Sequence, residues 1–313
     1  MLALGGENGY NNRRSSAKKR SGRANNFAKE KNFMKIKYFG TAAYEGIPAL
    51  FCQCESCRRA LALGGKNLRT RAQALIDDEV LVDFNADTVA HYQKYKFDWT
   101  KIKYCLITHS HSDHFYPRDL SMFVGRYYTH NVSHIDFYGA RSVYDKIEEI
   151  IHDESLCPDP TRLTATEVKP GDLLTLNGYK VVVADADHDP EATPVIYGIE
   201  NKEGKRLLYA HDTGCFTDKV IADLKKLGRF DFVSLDCTGS FNPEGWEHGH
   251  MSFRTDALMK DWLIKEGLAD EKTIFVVNHF SHNAFFGHDH EELCAEAAKY
   301  GFVVSYDGLE IEF

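Results

Sequence analysis

Thr108-His109-Ser110-His111-Ser112-Asp113-His114 is the stretch on which the reading of this chain turns. Three imidazoles and one carboxylate fall between positions 109 and 114. The run before them, Ile102-Lys103-Tyr104-Cys105-Leu106-Ile107, reads as a short buried strand, and Pro117 stands where a helix can begin. The polar cluster therefore falls on a strand-to-helix loop at a sheet edge. Imidazole and carboxylate are donors that divalent transition metals prefer. On an extended segment residues i and i+2 point the same way, so His109 and His111 can reach one metal. Asp113 and His114, just beyond, can serve a second. Neighbouring imidazoles that protonate together repel one another, so a cluster this dense calls for a metal to organise it.

Working outward, Met34 to Phe39 predicts the first strand and Gly40 to Leu50 an irregular loop. Ala72 to Ile76 and Val80 to Phe84, split by Asp77-Asp78-Glu79, predict a hairpin whose second strand ends at Asp83. A helix is expected over Asn85 to Tyr95, capped by Asn85 or Asp87, and others over Pro117 to Val124 and Ser142 to Ile151. Ile135 to Tyr138, Leu173 to Leu176 and Tyr179 to Ala184 read as strands, and Val195 to Glu200 with Arg206 to Ala210 as a hairpin. A helix from Thr217 to Leu227, a strand from Phe232 to Asp236, and a helix from Phe253 to Glu266 follow. A strand from Ile274 to Val277, a helix from Glu291 to Tyr300 and two short strands close the chain. Pieces of sheet separated by helices fit an α/β protein of four αββα layers better than one doubly wound sheet. Every further candidate donor lies just past one of these strands: His188, Asp212 and His279. Strand ends are where a rigid scaffold can bring ligands together.

The 313 residues are enough for a large core, and 43% apolar with 27% charged residues is ordinary for a globular protein. No apolar run nears the roughly 20 residues of a membrane span. A net charge of -8 argues against a general nucleic-acid surface, while leaving room for a local pocket for a phosphorylated small molecule. Eight cysteines without a secretory signal point to reduced thiols and a cytoplasmic location, with Cys105 and Cys237 in the core. Residues 1–33, polar and basic around Arg13-Arg14-Ser15-Ser16-Ala17-Lys18-Lys19-Arg20, are expected to be a disordered tail, and 34–313 one domain.

The pattern H-x-H-x-D-H at 109–114, with Asp83, His188, Asp212 and His279 in that order, resembles the metallo-β-lactamase superfamily. The resemblance implies that fold, and a dinuclear site in which His109, His111 and His188 hold one metal. Asp113, His114 and His279 would hold the other, Asp212 would bridge them, and Asp83 would orient the histidine loop from behind. Gly40-Thr41 and Phe51-Cys52-Gln53-Cys54-Glu55-Ser56-Cys57 narrow the resemblance to the phosphoribosyl cyclic-phosphate phosphodiesterases of phosphonate catabolism. C-x-C-x-x-C supplies three thiolates and a structural zinc wants a fourth ligand. In that group it is a histidine three positions past the last catalytic one, here His282. A histidine that contacts the phosphate and protonates the leaving group aligns with His250, with His248 as the fallback.

The implied activity is hydrolysis of a small, cyclic phosphodiester such as a phosphoribosyl cyclic phosphate or nucleotide. It would use two zinc or manganese ions beside one structural zinc, with His250, Asp113 and Asp212 as the catalytic residues. Alternatives are an RNA endonuclease of the tRNA 3′-end type and a non-enzymatic metal-binding scaffold of the same fold. A homodimer is left open. Two departures stand out: His211 replaces a small residue, and Asp185, Asp187 and Asp189 crowd His188 where neutral neighbours are expected. His288 and His290 are expected at an exposed helix start. Surface or structural roles are expected for His91, His130, His134 and His152.

Overall fold

A computed structural model describes residues 32–156, 158–244 and 246–313. The first half of the chain forms β1 (Lys35–Gly40), α1 (Glu55–Leu63), β2 (Gln73–Ile76), β3 (Val80–Val82), α2 (Thr88–Tyr95), β4 (Tyr104–Leu106), α3 (Leu120–Val124), β5 (Ile135–Gly139) and α4 (Arg141–Ile151). There follow β6 (Leu163–Glu167), β7 (Leu173–Leu176), β8 (Tyr179–Asp185), β9 (Val195–Asn201), β10 (Arg206–Ala210), α5 (Asp218–Leu224) and β11 (Phe232–Asp236). The last part holds α6 (Phe253–Lys265), β12 (Ile274–Asn278), α7 (His290–Ala298), β13 (Val303–Val304) and β14 (Glu310–Glu312). Of the tail expected over 1–33, residues 1–31 lie outside the described residues.

Two seven-stranded sheets result, ordered β14-β1-β2-β3-β4-β5-β6 and β13-β12-β11-β10-β9-β8-β7. Each begins with antiparallel strands and continues in parallel ones, from β3 to β6 and from β10 to β13. Alternation along single strands stacks the layers. Ala74 and Ile76 of β2, Val80 and Val82 of β3, and Val181 and Val183 of β8 all enter one core between the sheets. Leu75, Leu81 and Cys105 turn the other way, onto the core shared with α2, α3 and α4. Val182, Leu208 and Leu235 face a third core against α5, α6 and α7. Three cores between four layers make the expected αββα stack. Each buried Val or Leu contributes about 1.5–3 kcal/mol, and a one-residue slip would exchange faces along a whole strand, so the register is tightly held. Among the described residues no helix is long and apolar enough to cross a membrane.

The structure corrects the sequence reading at several points. Helix α1 and strand β6 were not expected. Only Leu163 of β6 is buried, so pairing with β5 rather than an apolar face makes it a strand. The expected 117–124 helix divides into a 3-10 turn, Pro117–Asp119, and the short α3. Asp87 does precede α2, but its carboxylate makes no cap and instead pairs with Arg71 at 2.9 Å.

Candidate metal centre

The parallel strands of each sheet deliver their carboxyl ends to one edge, where ligand sites gather in α/β folds. Asp83 follows β3, the histidine loop follows β4, His188 follows β8, Asp212 follows β10, Asp236 ends β11 and His279 follows β12. Asp83, Asp212 and His279 all adopt left-handed backbone (φ 67°, 50° and 63°), a conformation unfavourable for them unless the surroundings impose it. Neighbouring elements do so. Asp83 N donates to the Leu106 carbonyl (2.9 Å), Asp212 N to Asp236 Oδ2 (3.0 Å), and the Tyr197 hydroxyl to the Ile107 carbonyl (2.8 Å). At Gly214, just past Asp212, a side chain would run into the backbone of Glu247 and His248, so glycine lets that loop lie over the site.

Each imidazole has a partner behind it that fixes its tautomer. Asp83 accepts from Thr108 N and Oγ1 with one oxygen (2.8 and 2.9 Å) and from His114 Nδ1 with the other (2.7 Å). Thr108 Oγ1, its proton committed to Asp83, accepts from His109 Nδ1 (3.1 Å). His188 Nδ1 donates to the Gly249 carbonyl (3.1 Å), His111 Nε2 to Asp189 Oδ2 (3.0 Å), and His279 Nδ1 lies 2.8 Å from Thr238 Oγ1. The opposite nitrogens then turn lone pairs inward, against one another. His114 Nε2 and His279 Nε2 are 3.1 Å apart, and His188 Nε2 and His111 Nδ1 are 3.3 Å apart. Facing lone pairs at that distance repel unless a proton or a cation sits between them.

The donors form two groups that share Asp212: His109, His111 and His188 on one side, Asp113, His114 and His279 on the other, each group's atoms within 4.8 Å of one another. Asp212 Oδ2 lies 3.3 Å from His109 Nε2 and 2.9 Å from His114 Nε2, so one carboxylate reaches both. His109 Nε2 and Asp212 Oδ1 are buried without a hydrogen-bond partner. An orphaned lone pair of this kind is costly unless something coordinates it, and a mixed N/O donor set fits divalent transition metals.

The electrostatics point the same way. Burial, with His114 alongside, pushes His109 down to about 4. Burial also opposes protonation of His114, yet Asp83, Asp113 and Asp212 carry it well above the usual imidazole range. His279, equally buried, is raised to about 9 by Asp212, Asp113 and Asp236. Burial opposes ionisation of Asp212, but His279 and His114 hold it below the carboxylate range. The nest of carboxylates calls for positive charge, which protons or metal cations can supply.

His250 stands at the mouth, about a quarter exposed, with Nδ1 3.2 Å from Asp212 Oδ1 and 3.5 Å from Asp236 Oδ2. Burial works against its protonation, but Asp236 and Asp212 raise it to about 10. His248 is almost fully exposed and pairs with Asp187 at 2.9 Å, outside the donor groups. Asp236 was missed in the sequence reading. It is fully buried, accepts from Met251 N, Thr238 and Asp212 N, and with Asp212, His250 and His279 forms a third group able to hold an ion. Its position at the end of β11, as at the other strand ends, was the signal that could have found it.

A separate cluster lies on the same loop as His279. Cys52, Cys54, Cys57 and His282 come within 4.8 Å of one another. His282 Nδ1 is 3.4 Å from Cys54 Sγ and 3.8 Å from Cys52 Sγ. Backbone N–H groups of Ala49, Cys54 and Cys57 point at the sulfurs of Cys57, Cys52 and Cys54 (3.3, 3.4 and 3.5 Å). Cys54 caps α1. Burial opposes its ionisation, but the Cys57 N–H and His282 bring it to about 6, whereas burial and the neighbouring sulfurs push Cys57 up to about 12. A soft donor set with one preformed thiolate suits zinc.

The remaining histidines divide. His290 is not at an exposed helix start: it is buried, 3.0 Å from Arg69 Nη2 and against the Tyr306 ring, because the Asp289 cap turns the first residue of α7 inward. His288, expected to be exposed, is half-buried against the Phe241 ring, 4.3 Å between centroids, and pairs with Glu292 at 3.5 Å. His211 is fully enclosed, bonded to Ser234 Oγ (2.7 Å) and Asn278 (3.2 Å). His91 is structural, between Gln73 Oε1 (2.6 Å) and Thr70 Oγ1 (2.7 Å). The aspartates beside His188 do not crowd it unpaired: Asp189 backs His111, Asp187 pairs with His248 and Asp185 with Lys219.

A beta-lactamase superfamily domain model matches residues 79–263. Among solved structures, a diphosphatase of the PhnP family is similar over 90% of this chain and 97% of its own, at 19% identity and a TM-score of 0.66. Zn2+-bound PqqB from Methylobacterium extorquens matches over 88% and 99%, at 17% identity and a TM-score of 0.67. The short form of human tRNase Z matches over 88% and 98%, at 16% identity and a TM-score of 0.59. At such identities the likeness shows the fold. No curated protein matches by sequence.

Proposed function

The chain belongs to the beta-lactamase superfamily, and on that premise we propose that it is a metal-dependent hydrolase of a small phosphodiester, with a cyclic phosphate of a phosphorylated sugar or a nucleotide as the substrate class. One observation carries the reading: five imidazoles, each backed by a carboxylate, carbonyl or hydroxyl, turn their free nitrogens onto a shared carboxylate whose second oxygen is orphaned. His109, His111 and His188 would hold one divalent ion, Asp113, His114 and His279 the other, and Asp212 both. Ions bound there, zinc or manganese, would supply Lewis acidity and an acidified water as the nucleophile.

The chain's own residues supply the rest. Asp83, Thr108, Asp189, Thr238 and the Gly249 carbonyl hold the rings in place, so that little reorganisation accompanies the reaction. His250 Nδ1 donates a hydrogen bond to Asp236 Oδ2, and the charges of Asp236 and the adjacent Asp212 keep the ring protonated. Its other nitrogen can then donate to the departing sugar oxygen as general acid. Cys52, Cys54, Cys57 and His282 would hold a structural zinc. The acid excess of the chain supports a small phosphorylated substrate over nucleic acid, in a cytoplasmic setting.

Purified protein loaded with zinc or manganese should hydrolyse bis-para-nitrophenyl phosphate and ribose cyclic phosphates. His109→Ala or Asp212→Asn should lower turnover on the order of a thousandfold without loss of fold by circular dichroism. Near-normal turnover in His109→Ala would refute the proposal. Cleavage of precursor tRNA in preference to cyclic phosphates would transfer the site to the RNA-processing alternative.

A further inference from the structure

A cavity of about 470 Å3 opens on the outer face of the first sheet, among residues of α2, α3 and the 129–133 loop, and no candidate metal ligand lines it. Phe84, Tyr92, Trp99, Phe123 and Phe137 line it with their rings, and Asp119 contributes a carboxylate. The rings meet at steep angles. Phe84 and Trp99 are 6.4 Å apart at 65°, Phe84 and Phe137 6.3 Å at 82°, and Tyr92 and Trp99 6.2 Å at 58°. Rings from several directions thus border one volume. Asp119 occupies the cap position of α3 but makes no capping bond, and among the described residues its carboxylate has no hydrogen-bond or ion-pair partner. No Lys or Arg lines the cavity, and His130 is its one basic residue.

Aromatic faces carry negative potential, and a carboxylate among them adds to it. The complementary ligand is a cation, and the lining narrows which kind. Against the ring faces an alkylated ammonium, which is poorly hydrated, needs no acceptors, whereas a bare ammonium would have to replace its water with Asp119 and the hydroxyl and amide groups of Thr88, Thr100, Thr129, Asn131 and Ser133. The volume lies in the usual range for small-molecule sites and exceeds a trimethylammonium group several-fold, so the ligand carries an apolar substituent as well. We propose that this cavity is a binding site for an alkylated ammonium compound, the cation held between Trp99, Tyr92 and Asp119 and its substituent over Phe84 and Phe137. The site shares a wall with the metal centre, because Phe84 N donates to the His114 carbonyl at 2.8 Å.

The test uses the full chain at pH 8, with choline as the cation and 3,3-dimethylbutan-1-ol as its uncharged isostere. The indole N–H resonance of Trp99, assigned with Trp99→Phe, is followed by NMR. Choline should shift it saturably and bind about tenfold more tightly than the alcohol. Asp119→Asn, a near-isosteric change at a partly exposed position, should remove most of that preference while leaving the alcohol's weak binding unchanged. Equal binding of choline and the alcohol, a choline preference untouched by Asp119→Asn, or a shift that never saturates would each overturn the proposal.

Discussion

The histidine–aspartate centre and the cysteine cluster sit at opposite ends of one four-residue loop, His279 to His282, and are built in opposite ways. In the first, His109, His114, Asp212 and His279 are almost wholly buried, rise from strand ends, and are each held from behind by a hydrogen bond. In the second, Cys54 is exposed, Cys52 is half-buried, and the sulfurs are held by backbone N–H groups of an irregular loop and the first turn of α1. Both donor sets lie within 4.8 Å, but the sheet holds the first, whereas the second rests on loop backbone and one helical turn. A pre-formed site spends little of its interaction energy on ordering protein and can direct it at a reacting group. A site on a loop converts binding into stability. Under the proposed function, the contrast fits chemistry at the first and tethering at the second.

Three measurements would break or sharpen that contrast. The largest effect is expected from Cys57→Ser, which removes a buried donor of the loop site. It should lose one metal per chain by elemental analysis and more than about 3 kcal/mol of stability, with turnover falling far less than in His109→Ala. Loss of turnover as deep as that of His109→Ala with an unchanged Tm would erase the distinction. Next comes Asp189→Asn, which loosens His111 from behind at a partly exposed position. Metal affinity at the catalytic site should weaken by about tenfold, read by competition with a chelating dye, while the cysteine site is untouched. An unchanged affinity would show that the sheet alone positions His111.

The smallest effect concerns the scaffold under the buried site. His91 bonds Gln73, whose amide in turn donates to the Asp83 carbonyl at 2.9 Å. Burial lowers His91 to about 4 from 6.5. Between those values the unfolded chain binds the extra proton, so the stabilisation is complete above pH 6.5 and is lost as pH falls toward 4. Metal-free protein should lose about 2 kcal/mol through this group between pH 7 and pH 5, and His91→Gln should lose correspondingly less. Urea unfolding at the two pH values measures the difference, and equal losses in both proteins would detach His91 from the scaffold.

Much of the site was legible because its donors come at short, patterned spacing or directly after apolar runs. His109, His111, Asp113 and His114 are neighbours in sequence, and His188, Asp212 and His279 each follow a strand that alternation or apolarity announces. Asp236 escaped because an aspartate at a strand end looks like any turn residue until its partners, Met251 N and Thr238, are in place. The role of Asp189 was misread for a related reason. Charge counted along the chain puts it against His188, whereas in space it accepts a hydrogen bond from His111, 78 positions away. His290 reads as solvated from its polar neighbours and is buried by Arg69 and Tyr306, which no local pattern brings near.

The amino-acid sequence by itself determined which side chains can coordinate and which segments become strands, because ligand chemistry and hydrophobic alternation are local properties. Only the tertiary structure decided which lone pairs face each other, which carboxylate is shared, that His282 meets cysteines some 230 positions earlier, and that five rings and Asp119 enclose a second cavity. Those depend on the stacking of two sheets and on which loops their strand ends bring together. Non-local burial and hydrogen bonding set that geometry, and no window of neighbouring residues contains it.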